Sequence, residues 1–373
     1  MRILLVTRGF PPRVGGVERV CAELAAGLAA AGDEVTVVTF AGRARPAAVP
    51  APLAGPPPYR VLRLPSLGDT FELSPGLVRR LRRLDFDACH VHNLHSTVAA
   101  AVWRAGATPY VLTPHYHGKG HSPAARLLQP LYRRLAARIV RDAARVTAVS
   151  PTEAAMIDRD FGVRPLVIAN GVASGLLAGA PRRPDPGGRG RLLVVSRLVA
   201  YKRVDAALAA LARLPARYRL DVVGDGPDRG RLERLAATLR VTDRVHFHGG
   251  QVPDEGVRQL LQDADVYLNL SEAEAFSLVV LEALAVQTPV VVSRASALAA
   301  WATRFPGAVL AAEAARAPRD TTARPGARAG PDTEAVAAAV TRLDGQRVRV
   351  DLRDYQWPSI VDRYRRVYAE VVR

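Results

Sequence analysis

Cysteine is nearly missing from these 373 residues: Cys21 and Cys89 are the only two, both in apolar surroundings and without metal-ligand spacing. This excludes a disulfide-stapled scaffold and a cysteine zinc site, and it reads as two reduced core residues. Aromatic residues make up 6% of the chain and form no platform interleaved with the arginines, so nucleic-acid stacking is not the expected mode of binding. No apolar run approaches the roughly 20 residues that a membrane span needs. Acidic residues are also short, 35 Asp and Glu against 52 Lys and Arg, a net charge of +17. Such a balance calls for an anionic partner, although arginine and alanine abundance is also what a GC-rich genome produces.

What is present is a globular composition, 49% hydrophobic and 23% charged, in a chain long enough for two domains. Met1 and Arg2 lead straight into ILLVT, a buried-strand pattern with no small-residue cleavage site after it. That reads as a first strand and not a signal peptide, so the expected location is the cytoplasm. The strand breaks into PPRVGGVERV, a helical pattern runs from Val17 to Ala31 and stops at Gly32, and EVTVVTF follows as a strand. This is one βαβ unit. Gly15 and Gly16 would let the backbone approach a ligand at the carboxyl end of the first strand. A plain tight turn is the competing reading.

Residues 42–60 are rich in Pro, Ala and Gly and read as a loop before the strand YRVLRLP. Ser74 and Pro75 are expected to open a helix, Ser as cap and Pro at its first position, with Leu77, Val78, Leu81 and Leu84 opposite Arg79, Arg80, Arg82 and Arg83. A second basic stretch from Pro130 to Ala144 sets Leu131, Leu135 and Ile139 against Arg133, Arg134 and Arg141. Such faces either point into water or dock on anionic lipid headgroups.

Between these stretches lie DACHVHNLHS and YVLTPHYHGKGHS, which carry His90, His92, His95, His115, His117 and His121. Neither an HExxH helix nor a cysteine partner completes a zinc set. The histidines are expected to line strand ends and donate to sugar hydroxyls and phosphate. Ser150 to Glu153 has the form of a capping box, and Asn170-Gly171 makes a turn after the strand LVIA. Residues 173–190 are polar and rich in Pro and Gly, the composition of an interdomain linker.

RLLVVSRL restarts the strand, turn and helix rhythm. Arg197 and Lys202 follow the strand at a spacing that projects both over one edge, and two cations there suit a diphosphate, Arg as a planar fork and Lys as a point charge. Gly224-Asp225-Gly226 is a lone GxG, a weak nicotinamide signal with no ribose-binding acid about 20 residues on. The pairs Asp85/Asp87 and Asp263/Asp265 precede apolar strands, so they read as acids at strand starts rather than a metal-binding DxD.

The second half is organised around NLSEAEAFSLVVLEALAVQTPVVV, residues 269–292. Ser277 stands where an N-cap would open the helical run from Leu278 to Val286, aiming free N–H groups and a positive dipole end at the polar turn before it. An anion suits that position. Glu274 and Glu282 bracket it, and carboxylates accept hydrogen bonds from vicinal hydroxyls, so the expected ligand is phosphate attached to sugars.

Glu274, seven intervening residues and Glu282, with Phe276 and Leu278 between them and Pro289-Val290 following, resembles the Glu-x7-Glu signature of the retaining glycosyltransferases of family 4. The Gly15-Gly16 loop with Glu18, Thr113-Pro114-His115 and the Arg197 to Arg203 stretch are similar to further motifs of that family, in the same order. Departures from the pattern are Ser196 and Arg203 in place of glycines around the cation pair, Gln287 in place of a glycine, and Ser293 to Ser296 in place of a Gly-Gly pair. The resemblance implies an α/β GT-B fold, two Rossmann-like doubly wound domains facing across a cleft. Its expected parts are an acceptor domain 1–172, a linker 173–190, a donor-nucleotide domain 191–356 and a terminal helix 357–373 crossing back to the first domain.

It also implies a retaining transfer of a hexose-type sugar from a nucleoside diphosphate sugar, UDP ranked ahead of GDP, to a hydroxyl of a glycan, lipid-linked glycan or small metabolite. No metal or other cofactor is expected. His115, Arg197, Lys202 and Glu274 would be catalytic. Gly15, Gly16, Phe276, Ser277, Leu278 and Glu282 would bind the donor together with Arg197 and Lys202. Peripheral contact with an anionic membrane at its inner face is a further expected partner, and nucleic acid is not. A catalytically degenerate GT-B-like binding protein and an NAD-dependent oxidoreductase are the alternative readings.

Overall fold

The computed structural model describes residues 1–41, 57–68, 72–118, 129–172, 176, 190–295, 297–313 and 331–373. The chain divides into two compact units, Met1–Gly171 with Arg353–Arg373, and Val172–Leu352. The linker expected over 173–190 and His121 lie largely or wholly outside the described residues.

In the first unit the strands are β1 (Arg2–Val6), β2 (Glu34–Phe40), β3 (Arg60–Leu64), β4 (Ala88–His92), β5 (Tyr110–Thr113), β6 (Arg145–Ala148) and β7 (Leu166–Val167). Its helices are α1 (Gly16–Ala30), α2 (Leu77–Leu81), α3 (Thr97–Ala105), α4 (Gln129–Arg141) and α5 (Pro151–Phe161). The strands form a parallel sheet in the order β3-β2-β1-β4-β5-β6-β7. ILLV runs apolar without alternation and VVTF is buried throughout because helices cover both faces of such a sheet. Helix α1 buries Val20, Cys21, Leu24, Ala25 and Leu28, one stripe at helical spacing. Both cysteines are buried free thiols, and burial pushes Cys21 up to about 12 and Cys89 higher still, so neither forms thiolate at neutral pH.

The second unit repeats the plan with β8 (Arg191–Val195), β9 (Arg219–Val223), β10 (Val245–Gly249), β11 (Val266–Asn269), β12 (Val290–Ser293) and β13 (Val309–Ala312). Its helices are α6 (Val204–Arg213), α7 (Arg229–Thr238), α8 (Asp254–Asp263), α9 (Leu278–Ala285), α10 (Leu298–Arg304) and α11 (Thr333–Leu343). The parallel order is β10-β9-β8-β11-β12-β13. In both sheets the strand order reverses beside the first strand, between β1 and β4 and between β8 and β11. Open α/β sheets bind ligands at that reversal, beyond the carboxyl ends of the strands.

The last helix, α12 (Trp357–Val372), belongs to the first unit. Trp357, Ile360, Tyr364, Val367 and Tyr368 are buried. A Cβ at Gly27 of α1 would run into Val361, and one at Gly171 would sit 2.7 Å from the Trp357 ring. These glycines are where α12 seats. Among the described residues no helix is long and apolar enough to cross a membrane.

Three local expectations are corrected. Helix α2 begins at Leu77 with Gly76 at its N-cap, not at Ser74, and no side chain caps it. Leu135 is 40% exposed, and α4 instead buries Ala136, Ile139 and Val140, so Leu135 lies on the basic side of the helix. Residues 311–333, rich in Ala, Arg, Pro and Thr without period, read from the sequence as a surface insertion, but the stretch loses its ends to regular structure, since Ala312 closes β13 and Asp332 caps α11.

Candidate active site

In the second unit the turn after β8 carries the two cations. The Arg197 guanidinium donates to the Tyr201 hydroxyl at 2.7 Å. The Lys202 ammonium lies 5.4 Å from the centre of the same ring and 2.5 Å from Glu274 Oε1, each partner 15% exposed. Tyr201 also accepts at its carbonyl from the Glu272 N–H (2.8 Å) and the Ser271 hydroxyl (3.3 Å). One tyrosine thus ties the cation loop to the turn that carries Glu274. Sequence reasoning missed it, and its place between Arg197 and Lys202 was the available signal.

The loop holding Arg197 is shaped by glycines that were read as a weak cofactor motif. Gly224 has φ +131°, and a Cβ there would overlap the Ser196 carbonyl, as one at Gly226 would overlap that of Leu198. Ser196 N–H donates to Val223 O at 3.0 Å, Leu198 N–H to Asp225 O at 2.9 Å and Asp228 N–H to Leu198 O at 3.0 Å. The room beside this GxG is filled by backbone, which argues against a dinucleotide there and gives the glycines a supporting role.

Ser277 occupies the N-cap position of α9 with φ 76° and ψ 90°, but its hydroxyl does not cap the helix. It accepts instead from the Asn269 side-chain amide at 2.8 Å, which corrects the expectation. The N–H groups of the first turn of α9 therefore keep no side-chain cap, consistent with an open anion position. Trp301 of α10 donates to Phe276 O at 2.7 Å with the rings 5.0 Å apart, and Ser293 donates to Ser271 O at 2.6 Å. These contacts fix the turn and were not foreseen. Glu282 is 4% exposed in α9. Burial first, then the charges of Glu274 and Glu282, raise the Tyr267 hydroxyl well above its ordinary range, so both carboxylates act on one point beside β11.

Two positions where the related pattern has glycine keep glycine's backbone. Arg203 has φ 54° and Gln287 φ 66°, both left-handed. Arg203 is compensated by ion pairs to Glu272 (2.7 Å) and Asp205 (3.3 Å). Gln287 is half-buried and, among the described residues, bonds through its backbone, to Leu284 and Val348. A left-handed side-chain residue costs about 1–2 kcal/mol and glycine about 0.5–1 kcal/mol in chain entropy. Gln287→Gly is therefore expected to stabilise the protein by roughly 0.5–1 kcal/mol, read from denaturant midpoints. A lower midpoint would contradict it.

In the first unit α1 opens at Gly16 with Gly15 as N-cap and no side-chain cap. The close approach that these glycines permit is made by the chain itself: a Cβ at Gly15 or Gly9 would overlap the Glu18 carboxylate. Buried Glu72, another residue that sequence reasoning missed, pairs with Arg8 at 2.7 Å and Arg13 at 3.0 Å and so holds the same loop.

His90 and His92 are fully buried at the end of β4, and His115 follows β5 with φ 49°. His90 Nδ1 meets the Tyr368 hydroxyl and Nε2 that of Thr113, both at 2.7 Å. His92 Nδ1 meets His115 Nε2 at 3.1 Å. Among the described residues no three metal-ligating side chains converge. Asp87 accepts from the Arg2 N–H at 2.7 Å and Asp265 from the Arg191 N–H at 2.8 Å, holding neighbouring strands together at their starts.

Glu153 departs from the capping box. Ser150 accepts from the Glu153 N–H at 3.1 Å, yet the carboxylate reaches the Val149 and Tyr116 N–H groups rather than that of Ser150. Burial raises it to about 7 against those two hydrogen bonds. Burial and neighbouring imidazoles lower His90 to about 3, His115 to about 4 and His92 well below 6.5. A raised carboxyl contributes stability that is lost as pH rises from 4.5 to about 7. Depressed histidines contribute stability present above 6.5 and lost as pH falls towards 4. Three histidines oppose one glutamate, so the melting temperature is expected to fall between pH 6.5 and 4. Glu153→Gln should steepen that fall, and a shallower one would contradict the assignment.

Two parallel α/β units, each reversing its strand order beside its first strand, are the plan of the GT-B class. Sucrose-phosphate synthase from Thermosynechococcus elongatus superposes with a TM-score of 0.75 at 21% identity, over 99% of each chain. Residues 14–174 match Glycosyltransferase Family 4 and residues 181–311 match Glycosyl transferases group 1. The GDP-mannose-dependent alpha-(1-6)-phosphatidylinositol monomannoside mannosyltransferase of Mycolicibacterium smegmatis is 30% identical over 78% of this chain and 80% of that protein. The MMP alpha-(1->4)-mannosyltransferase of Mycolicibacterium hassiacum is 33% identical over 61% of this chain, a stretch spanning 58% of its own length. The chain belongs to glycosyltransferase family 4.

Proposed function

We propose that the protein transfers a hexose from a nucleoside diphosphate sugar to a hydroxyl acceptor with retention at the anomeric carbon. The observation carrying this reading is the Lys202–Glu274 pair beside Arg197 and the uncapped start of α9, at the reversal of the second sheet. Cations and helix N–H groups suit a diphosphate, and the adjacent carboxylates suit hydroxyls.

In this reading Arg197, Lys202 and the backbone from Phe276 to Leu278 hold the diphosphate, with Gly15 and Gly16 as the corresponding backbone of the first unit. Glu274 orients the sugar hydroxyls, Glu282 the ribose, and His115 donates to the sugar. The acceptor oxygen bonds to the anomeric carbon on the face that the diphosphate leaves, and the hydroxyl proton passes to the departing phosphate oxygen. Catalysis then consists of stabilising charge on the leaving group and positioning the reactants. The two cations supply the charge that a metal would otherwise bring, so the reaction is proposed to need no metal.

The resemblance implies UDP ahead of GDP, but the names of the two relatives, both mannosyltransferases and one GDP-mannose-dependent, favour GDP-mannose as the first donor to test. Proton NMR of the glycoside formed from GDP-mannose and simple alcohols should show the α-anomer. A β-product would overturn retention.

A lipid-linked acceptor at an anionic membrane is proposed as the setting. Leu135 is exposed with Arg134 and Arg138 on α4, and the M. smegmatis relative is named for a phosphatidylinositol mannoside. Co-sedimentation with anionic but not neutral vesicles, lost on reversing Arg134 and Arg138 to Glu, is the expected result. Equal binding to both vesicles would contradict it.

A further inference from the structure

His92 takes no part in the roles above, yet it is the residue that touches the ring of His115. It is fully buried at the end of β4. The two loops are bound together, Asn93 N–H donating to Thr113 O and Leu94 N–H to Pro114 O, both at 3.0 Å. The His92 and His115 rings stack with centres 5.4 Å apart and planes 24° from parallel. His115 itself sits at φ 49°, a conformation that surrounding contacts must hold for any residue with a side chain.

Burial keeps both rings neutral, so the 3.1 Å contact between His92 Nδ1 and His115 Nε2 contains a single proton. The remaining nitrogen of His92 decides which ring donates. His92 Nε2 is buried and has no hydrogen-bond partner among the described residues. A bare lone pair is the less costly group to leave unpaired, whereas an orphaned buried N–H is rare. The proton therefore sits on His92 Nδ1 and points at His115 Nε2, which puts the proton of His115 on its own Nδ1.

We propose that His92 is a positioning residue that locks His115 in the Nδ1–H tautomer, so that a half-buried ring presents a fixed N–H donor. The proposal rests on His115 acting on the donor sugar. It assigns a purpose to a buried histidine that pairs with Thr113 in the β4–β5 ladder and packs its ring against His90, but whose side chain makes no hydrogen bond to the Tyr368–His90–Thr113 network among the described residues.

Nitrogen-15 NMR of the full chain labelled at histidine reads the tautomer without substrate. The wild type should show His115 protonated at Nδ1, and His92→Phe should show a mixture. His92→Asn, whose amide nitrogen can stand near the Nδ1 position, should restore the single form. In transferase assays His92→Phe should lower kcat about 10- to 100-fold, the scale of a misplaced catalytic group, with KM nearly unchanged. His92→Asn should recover most of the loss, and His92→Phe should add nothing in a His115→Ala background. An Nε2–H form of His115 in the wild type, or a tautomer unchanged in His92→Phe, overturns the proposal. Full activity in His115→Ala overturns the role of His115 itself, a result separable from the NMR.

Discussion

Lys202→Met is expected to lower kcat by roughly 100- to 1,000-fold, the range measured when one preorganised donor is removed from a site of developing charge. KM for the donor should rise less, because in this reading the diphosphate, already doubly charged in the bound donor, gains its additional charge only as the bond to the sugar breaks. The geometry sharpens this expectation. In the free protein the ammonium is paired with Glu274 and braced over Tyr201, so donor binding must exchange Glu274 for phosphate oxygens. Glu274→Gln removes the competitor and should tighten binding of the bare nucleoside diphosphate while still lowering kcat, since the sugar loses its orienting acid. Calorimetry of nucleotide binding alongside steady-state kinetics separates the two variants. Unchanged kcat in Lys202→Met with only KM raised would contradict the transition-state role.

Gly224→Ala is expected to destabilise the protein by about 3 kcal/mol or more, combining overpacking with a backbone angle that L side chains rarely adopt. The added methyl would overlap the Ser196 carbonyl at φ +131°. The bonds from Ser196 to Val223 and from Leu198 to Asp225 would have to yield, and they form the loop that carries Arg197. Activity should fall together with the melting temperature, whereas Lys202→Met should lose activity out of proportion to its stability, which falls only by the loss of the Glu274 pair. A Gly224→Ala protein of wild-type stability would show that the two loops do not meet as described.

The sheets were legible because parallel strands buried on both faces tend to be continuously apolar, and ILLV, LLVV and VVV are. Arg197 and Lys202 were read from where a strand ends, and Glu274 and Glu282 from a helix start and the resemblance to Glu-x7-Glu; the structure pairs Lys202 with Glu274 and Arg197 with Tyr201. What stayed hidden depends on contacts between segments distant in sequence. Trp301 reaches back to Phe276, Glu72 pairs with both Arg8 and Arg13, and His90 finds Tyr368 on the terminal helix. No local pattern encodes such partners. Ser277 misled for a related reason: its residue type favours an N-cap, but Asn269 on the neighbouring strand takes its hydroxyl and the turn adopts φ 76°. Leu135 fell on the apolar side by spacing alone, and the surface that the domain offers to α4 is set instead by Ala136, Ile139 and Val140.

The central claim is that the second unit binds a nucleoside diphosphate through protein cations and helix N–H groups, without a metal. Thermal shift with UDP, GDP, ADP and TDP, each with and without a chelator, tests it most directly. A ligand at about 100 times its Kd stabilises by ~2.7 kcal/mol, a readily measured shift. The account predicts a shift for one nucleotide, GDP first, that survives the chelator and is lost in Lys202→Met. No shift with any of the four, or one that appears only with a divalent metal, would contradict it.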